Sequence, residues 1–387
     1  MFIYKPKELF EKINRTFEGK NFSEKLFKFA ENITDQSKAF FKREFQKGDY
    51  LITVFSYRYP SYREFKELNA FELRGLTFVK SPEGEFSHFL AMHKFFNVNE
   101  NEDYKIERLK KLKLLSASEK LDGSLVHPIK VGDQIFMKSR QDLESYPAQR
   151  ANILLQQREN LKNLVKDLLS QNLQPLFEYV SPQNQIVVPY QEENLYLVQV
   201  RNNLTGEYLS DEELTDLAKE YNIPTPKRET VSFEEFLKRA KNTTQTEGWV
   251  LRFENDLFAK LKTKWYLKRH KILSNLSEDI IIRKILRREI DDILPLLLED
   301  SLTYRKIVQI KEALENYLNR TLEELSKSAK CGNFYFIENP SLRSIAEKCS
   351  QSRDIEKCIQ TSLRNLLLNQ IQNRKKALEF LGKILKG

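Results

Sequence analysis

Cysteine and long apolar runs are both scarce in this chain of 387 residues. Its three cysteines, Cys331, Cys349 and Cys358, are an odd number in a long chain and do not suggest a disulfide framework. No apolar run approaches the roughly 20 residues that a membrane-spanning helix needs, and the first residues lack the continuous apolar segment of a secretory signal. The sequence therefore predicts a cytoplasmic protein that does not act at a membrane.

Several common site motifs are missing as well. The chain contains neither a GxGxxG fingerprint nor a glycine-rich Walker loop. Cys349 and Cys358 lack CxxC spacing, and no histidine is close enough in sequence to complete a zinc pattern. The four histidines form no recognisable triad with a nucleophile. Dinucleotide-binding, P-loop and zinc-binding motifs are thus absent from the sequence.

The composition is that of a globular protein with a basic surface. Hydrophobic residues make up 40% and charged residues 31% of the chain, and the net charge is +9 with a pI near 9.1. Such a charge suits a polyanionic partner, because phosphates attract clustered lysine and arginine. Many soluble proteins are equally basic, so the charge alone leaves nucleic-acid binding as one of two interpretations.

The pattern changes near residue 268. Runs of β-branched and aromatic residues predict strands in the first part of the chain, over 51–57, 73–79, 175–180, 185–189, 195–201 and 248–253. Helical spacing of apolar residues covers 151–170 and then 303–328 and 355–386. We therefore predict a mixed domain over 1–268 and an all-helical domain over 269–387.

Lys120, within Ser-Glu-Lys-Leu-Asp-Gly-Ser at 118–124, is the residue with the most chemical information. A lysine amine is a covalent nucleophile only when its neighbours help it lose a proton. Two separated carboxylates follow downstream, Glu178 and Glu247, and then a late lysine pair, Lys260 and Lys262. One lysine, two carboxylates and a lysine pair favour a site that activates a nucleotide.

The lysine pair lies in a predicted hairpin. Asn255-Asp256 separates 248–253 from 257–263, and in a strand the side chains of Lys260, Lys262 and Lys264 share one face. Two or three ammonium groups on one face would suit a triphosphate. The alternative is the solvated face of an edge strand, where lysine is common.

The two carboxylates are candidates for a metal site. Glu178 interrupts an otherwise apolar strand, and Glu247 precedes Gly248, where a ligand or backbone can approach closely. Together they could hold a hard divalent cation such as Mg²⁺ through oxygen ligands or water. Separately, each could be an ordinary surface glutamate.

The order of these residues resembles the covalent nucleotidyltransferase superfamily of ligases and RNA-capping enzymes. Longer strings, together with Arg74-Gly75, are similar to the T-even phage RNA ligase 1 family. They lie at 55–62, 94–97, 138–139, 177–187, 260–266, 304–307 and 317–320. The resemblance covers nearly the whole chain.

The resemblance implies a fold and an activity. The fold is an α+β nucleotidyltransferase (adenylyltransferase) domain with antiparallel sheets, followed by an all-α C-terminal domain. The activity is ATP-dependent RNA ligation with Mg²⁺ or Mn²⁺: Lys120 takes AMP from ATP, passes it to an RNA 5′-phosphate, and an RNA 3′-hydroxyl displaces it. The implied partners are cleaved tRNA or single-stranded RNA ends and a polynucleotide kinase–phosphatase that prepares those ends.

The resemblance also assigns roles to individual residues. Those implied to be catalytic are Lys120, Lys260, Lys262, Arg74 and Lys94. Those implied to bind the nucleotide are Glu119, Asp122, Gly123, Lys138, Glu178, Glu247, Gly248, Phe96 and Tyr266. Glu247 and Glu178 are implied to bind metal, directly or through water. Gln141 stands where the family pattern has glycine, which leaves the role of Lys138 open.

Two alternatives remain at this point. A DNA ligase or capping enzyme would typically continue into an OB-fold with a further basic motif, whereas this chain continues into helices. A non-catalytic basic RNA-binding protein is disfavoured by the joint presence of the lysines and carboxylates. Over 271–387 the chain has 21 Lys and Arg against 16 Asp and Glu, an excess that would suit contact with an RNA backbone.

Overall fold

The computed structural model describes residues 2–274, 276–290, 293–294, 297 and 302–385. It forms two compact units, Met1–Leu267 and Lys268–Gly387. The strands are β1 (Phe40–Lys47), β2 (Tyr50–Tyr57), β3 (Thr77–Lys80), β4 (Phe86–Phe89), β5 (Phe96–Asn97), β6 (Leu114–Lys120), β7 (Ser124–Val131), β8 (Gln134–Ser139), β9 (Leu173–Val180), β10 (Asn194–Asn202), β11 (Arg228–Glu229), β12 (Gly248–Phe253) and β13 (Phe258–Lys262). The helices are α1 (Pro6–Thr16), α2 (Phe22–Gln36), α3 (Tyr62–Glu67), α4 (Ile106–Leu109), α5 (Tyr146–Gln157), α6 (Glu159–Ser170), α7 (Asp211–Glu220), α8 (Phe233–Asn242), α9 (Lys264–Ser274), α10 (Glu278–Leu286), α11 (Leu302–Cys331), α12 (Pro340–Cys349), α13 (Ile355–Gln370) and α14 (Arg374–Ile384).

The strands of the first unit form three sheets. Their strand orders are β1-β2-β3-β4, β10-β9-β7-β8 and β11-β6-β12-β13-β5. Every pairing is antiparallel except that of β13 with the short β5. The predicted fold class, an α+β domain with antiparallel sheets followed by helices, is confirmed.

The interior strands are apolar on both faces because both faces are covered. β9 lies between β10 and β7, and Leu176, Phe177 and Tyr179 are fully buried. α5, α6 and α7 pack on this sheet and bury its outer face. Glu178 is the one charged side chain of β9 and is half-buried, so its charge favours a partner or a ligand.

Most sequence predictions of secondary structure are confirmed. Strands cover 51–57, 175–180, 195–201 and 248–253, and β12 pairs with β13 as the predicted hairpin. The helical stretch 151–170 is two helices, α5 and α6, because Arg158 is extended with φ −111° and ψ 101°. The break allows the apolar faces of both helices to pack on one core.

Three predictions in this unit are wrong. The strand predicted over 73–79 begins only at Thr77, because Gly75 turns the chain with φ +94°. The segment 185–189 is not a strand, because the backbone N–H groups of Val187 and Val188 donate to the Asp122 carboxylate instead of a ladder. Lys264 begins α9 and does not extend the lysine face of β13.

The second unit is helical where the structure describes it. α11 forms its long central helix, as the apolar periodicity over 303–328 predicted. The stretch 355–386 contains two helices, α13 and α14, because Asn373 caps a new N-terminus, and residue 386 lies outside the described residues. Cys349 and Cys358 form a disulfide, which the odd cysteine count had not indicated. The part of the chain that the structure describes contains no helix long and apolar enough to cross a membrane.

Candidate active site

Lys120 lies at the end of β6 on the wall of a cavity of about 280 Å³ in the first unit. The cavity is bounded by strands of two sheets, β6, β12 and β13 on one side and β7, β9 and β10 on the other. The predicted site residues that line it are Arg74, Glu119, Lys120, Gly123, Glu178, Lys260 and Lys262. These predicted residues come from four separate stretches of sequence and meet in one pocket.

Strand register brings the three lysines together. Gly248 of β12 pairs with Lys120 on one side and with Lys262 on the other, so these two side chains share a face with only a glycine between them. Val250, two residues along β12, pairs with Lys260. The same-face arrangement of Lys260 and Lys262 is thus confirmed.

Gly248 cannot carry a side chain at this position. Its φ is +143°, and a Cβ there would overlap the carbonyl oxygen of Leu261. Only glycine tolerates both conditions. The tight backbone keeps the space between Lys120 and Lys262 open.

The Glu247 carboxylate occupies that space. Its Oε2 accepts a hydrogen bond of 2.7 Å from Lys120 Nζ, and its Oε1 lies 2.9 Å from Lys262 Nζ. The Glu247 side chain is only 3% exposed, and a buried carboxylate needs such charged partners. Glu247 therefore holds the nucleophile candidate and a phosphate-binding candidate in fixed positions.

Lys260 is a half-buried lysine in the same pocket. Its Nζ lies 4.7 Å from the centre of the Phe95 ring, and the described part of the chain provides no ion-pair partner for it. Burial lowers the pKa of Lys260 well below its usual value, and the neighbouring cations Arg74, Lys94 and Lys120 lower it further. An anionic ligand in the pocket would stabilise its charged form.

Glu178 projects from β9 toward Lys120. Burial raises the pKa of Glu178 to about 7, the negative charges of Glu247 and Asp122 raise it as well, and Lys120 and Arg74 act in the opposite direction. The carboxyl group can therefore change protonation state near neutral pH. Burial also raises the pKa of Glu119, the residue before Lys120.

Asp122 and Tyr266 lie behind the pocket wall and are not among its lining residues. Asp122 accepts N–H groups of Val187 and Val188 at 2.6 and 2.8 Å and the Tyr266 hydroxyl at 2.7 Å. Burial raises the pKa of Asp122, although these hydrogen bonds oppose the shift. These hydrogen bonds to Asp122 fix the turn that follows Lys120.

Lys138 also lies outside the pocket lining. It is fully buried, and its Nζ donates to the carbonyl oxygens of Gly75 and Arg140, both at 3.4 Å, and lies 3.3 Å from Nε2 of His127. Burial lowers the pKa of Lys138 to about 7. Lys138 thus supports the backbone next to Arg74, whose guanidinium lines the pocket and donates to the Met92 carbonyl.

Lys94 and Phe96 line a second cleft. Lys94 Nζ lies 4.4 Å from the centre of the Phe96 ring. Phe95, between them, lines the first pocket. The chain from 94 to 96 therefore separates the two cavities, and the two predicted residues face the second one.

Sequence reasoning missed several pocket residues. Arg228 Nε lies 3.3 Å from Asp211 Oδ1 in the pocket wall, and Ser118, Gln199 and Phe95 line it as well. Arg228, Asp211 and Gln199 belong to none of the motifs found in the sequence. Ser118 and Phe95 lie within the strings 118–124 and 94–97, and this position is the signal that could have indicated them.

The carboxylates fit a cation that a ligand helps to bind. No group of three or more His, Cys, Asp or Glu residues suited to a metal ion occurs in the described ranges. Glu178 and Glu247 nevertheless lie close enough for the charge of one to raise the pKa of the other. Two carboxylates that repel each other in a buried site are suited to sharing a divalent cation, with phosphate oxygens or water completing its shell.

Comparisons with known proteins identify relatives of this chain. A family model described as RNA ligase, of the T4 RNA ligase 1 type, matches residues 72–270. A Thermovibrio ammonificans protein provisionally named an RNA ligase is 30% identical over 311 residues, which cover 78% of this chain and 80% of that protein. RNA ligase 1 of bacteriophage TS2126 is 26% identical over 68% of this chain and 67% of its own length.

Solved structures similar to this chain include Naegleria gruberi RNA ligase variants. One with ATP and Mn has 20% identity and a TM-score of 0.38, and the match covers 46% of this chain and 57% of that one. Another with ATP and Mn has 16% identity and a TM-score of 0.37, over 59% and 88% of the two chains. With a family model matching just over half of its length and a relative 30% identical across 78% of it, this chain belongs to the T4 RNA ligase 1 family of RNA ligases.

Proposed function

We propose that this protein is an ATP-dependent RNA ligase that joins a 3′-hydroxyl and a 5′-phosphate through a lysyl-AMP intermediate on Lys120. The observation that carries the proposal is the convergence of Lys120, Glu247 and Lys262 around Gly248, beside a pocket that Lys120, Lys260 and Lys262 line. Family membership and the ATP and Mn bound to a similar ligase support the same activity.

In the first step, the neutral amine of Lys120 attacks the α-phosphorus of ATP. A nitrogen–phosphorus bond forms, the bond from the α-phosphorus to the bridging oxygen breaks, and pyrophosphate leaves while the amine loses a proton. Lys260, Lys262 and Arg74 would stabilise the charge on the transferring and leaving phosphates, which is the main contribution of proteins to such transfers.

In the resting site Lys120 donates to Glu247. Attack requires that this ion pair be weakened, and a divalent cation bound to the Glu247 carboxylate would compete with Lys120 for it. A Mg²⁺ or Mn²⁺ held by Glu178 and Glu247 would supply positive charge that favours a neutral amine and a polarised phosphate.

In the second step, an oxygen of the RNA 5′-phosphate attacks the AMP phosphorus and the nitrogen–phosphorus bond breaks. The Lys120 amine regains a proton, and AMP is carried on the RNA end through an anhydride. In the third step, the RNA 3′-hydroxyl attacks the 5′-phosphate phosphorus, AMP leaves and the strand is sealed.

The helical unit is our candidate for selecting the RNA. Its excess of Lys and Arg over 271–387 suits contact with a phosphate backbone. We propose cleaved tRNA or single-stranded RNA ends as the substrates. The kinase–phosphatase partner and the cytoplasmic location stay predictions.

The test is to compare ATP-dependent sealing of cleaved tRNA, linear single-stranded RNA and a nicked DNA duplex, with AMP release measured in parallel. We expect one AMP per RNA junction and no sealing of the DNA nick. A protein that seals only DNA, or that catalyses no ATP–pyrophosphate exchange, would contradict the proposal. The exchange reaction also separates a ligase from a non-catalytic RNA-binding protein.

A further inference from the structure

A cleft of about 510 Å³ lies next to the ATP pocket in the first unit. Aromatic rings and cationic side chains dominate its lining, among them Tyr57, Arg58, Tyr59, Lys94, Phe96 and Arg140. It includes the position, Gln141, at which the sequence departs from the family pattern. The roles assigned to the pocket residues do not account for this composition.

The lining of the cleft contains three cationic side chains and one carboxylate, Glu100. Arg58, Lys94 and Arg140 have no ion-pair partner among the residues that the structure describes. Lys94 Nζ lies 4.4 Å from the centre of the Phe96 ring, and the Arg140 guanidinium carbon lies 5.2 Å from that of Tyr57. Cations held against aromatic rings remain available to phosphate oxygens.

Tyr59 is the most unusual residue of the cleft. Its side chain is 101% exposed, and its backbone has φ 53°, a region that is costly for a bulky residue. Such strain persists where a fold holds a residue in place, and it is concentrated at ligand-binding sites. A fully exposed aromatic ring in a cleft lined by cations is the arrangement that proteins use to stack an unpaired base.

The cleft is connected to the pocket through shared backbone. Glu100 of the cleft accepts hydrogen bonds from the backbone and side chain of Asn97, which lines the pocket. Lys138 donates to the carbonyl oxygen of Arg140 on the cleft side and to that of Gly75 beside the pocket residue Arg74. The cleft and the pocket therefore lie on opposite sides of one wall.

We propose that this cleft binds a single-stranded segment of the RNA being sealed, with Tyr59 stacking on a base and Arg58 and Arg140 contacting backbone phosphates. The inference rests on the proposed ligase function and identifies where its RNA substrate enters. A single strand is favoured over a duplex because only unpaired bases expose a face for stacking.

The experiment measures binding of fluorescein-labelled, 5′-phosphorylated single-stranded RNA to the full-length protein without ATP. We expect Tyr59→Ala to weaken binding about 5- to 150-fold, the range that loss of one base–aromatic stack produces. Tyr59→Phe keeps the ring and should bind like the wild type. Leu204→Ala, which truncates an exposed apolar side chain elsewhere in the same unit, is the matched control and should leave binding unchanged.

The phosphate contacts have a separate signature. Arg140→Gln should reduce the slope of log affinity against log salt concentration by about 0.7, the contribution of one phosphate on a single strand. Lys166→Gln, an exposed cation on α6, should leave the slope unchanged. An unchanged slope for Arg140→Gln would remove the guanidinium from the proposed contact.

Tyr59→Gly tests whether the weaker RNA binding expected for Tyr59→Ala results from unfolding of the protein. Glycine tolerates the positive φ, so this variant should melt at or above the wild-type temperature and still bind RNA as weakly as Tyr59→Ala. RNA binding within twofold of the wild type for both variants would overturn the inference. If these variants lost ATP-dependent self-labelling to the same extent as RNA binding, the cleft would be assigned to ATP and the inference would be overturned too. If the wild type itself shows no self-labelling, the proposed function fails, whereas the RNA-binding comparison still decides the inference.

Discussion

The Nζ atom of Lys120 lies 2.7 Å from Oε2 of Glu247, although the two residues are 127 positions apart in sequence. Antiparallel pairing of β6 with β12 produces this contact, because Gly248 lies directly opposite Lys120. The other oxygen of the carboxylate meets Lys262. The Glu247 carboxylate therefore holds the side chains of Lys120 and Lys262 in position for the proposed chemistry.

Glu247→Gln keeps the shape of this side chain and removes its charge. We expect the rate of self-adenylation to fall about 100-fold, because a nucleophile displaced by about 1 Å loses that much reactivity. Single-turnover labelling with α-labelled ATP measures the rate, and Glu212→Gln on the exposed surface of α7 is the control. A rate within threefold of the wild type would show that Glu247 does not position Lys120.

Glu178 should make stability depend on pH. Its pKa is raised in the folded state from 4.5 to about 7, so the folded protein binds more protons than the unfolded chain between these values. The free energy of unfolding therefore falls as pH rises from about 4.5 to 7 and stays at the lower level above. Glu178→Gln should remove this fall. The difference in the free energy of unfolding between pH 4.5 and pH 8 should therefore be smaller in the variant than in the wild type by about 1 to 3 kcal/mol.

Urea unfolding of the wild type and Glu178→Gln at several pH values measures this difference. The control is Glu212→Gln, whose side chain is exposed. Parallel pH profiles for the wild type and Glu178→Gln would mean that the carboxyl group titrates normally in the folded protein.

Lys138 should have the opposite effect at higher pH. Burial lowers its folded-state pKa from 10.5 to about 7, so between these values the unfolded chain binds the additional proton. Stability then rises with pH from about 7 to 10, and Lys138→Met should abolish about 2 to 4 kcal/mol of that rise. The measurement is denaturant unfolding across this range, with Lys166→Met as the exposed control. A rise of equal size in Lys138→Met would assign it to another group.

Gly248→Ala should disrupt the hairpin that joins the lysines. The added methyl group would overlap the Leu261 carbonyl at a φ of +143°, so we expect a loss of about 3 kcal/mol or more and a large loss of self-adenylation. Gly84→Ala is a matched control, because Gly84 also has a positive φ, +85°, but open space around its Cβ position. It should cost about 1 kcal/mol, the backbone strain alone. Equal losses for the two variants would contradict the steric argument.

The sequence predicted those features of the site that depend on local pattern. Alternation along β12 and β13 was sufficient to place Lys260 and Lys262 on one face, and the glycine after Glu247 indicated a close approach. The pairing of both strands with β6 then brought in Lys120.

Features that depend on tertiary contacts were not predictable in this way. The apolar run 185–189 has the composition of a strand, but the distant Asp122 binds its N–H groups. Lys138 is charged in sequence and fully buried in the fold, which no periodicity indicates. The Cys349–Cys358 disulfide depends on the packing of α12 against α13 rather than on spacing.

The most direct test of the central claim is to locate the adenylate. Incubation with α-labelled ATP and divalent metal, followed by peptide mapping, should yield one acid-labile phosphoramidate on Lys120, and release of pyrophosphate in equal amount. Lys120→Ala should show no label, whereas Lys166→Ala, an exposed lysine on α6, should label like the wild type. Wild-type labelling of Lys120→Ala, or an adduct on another lysine, would contradict the account.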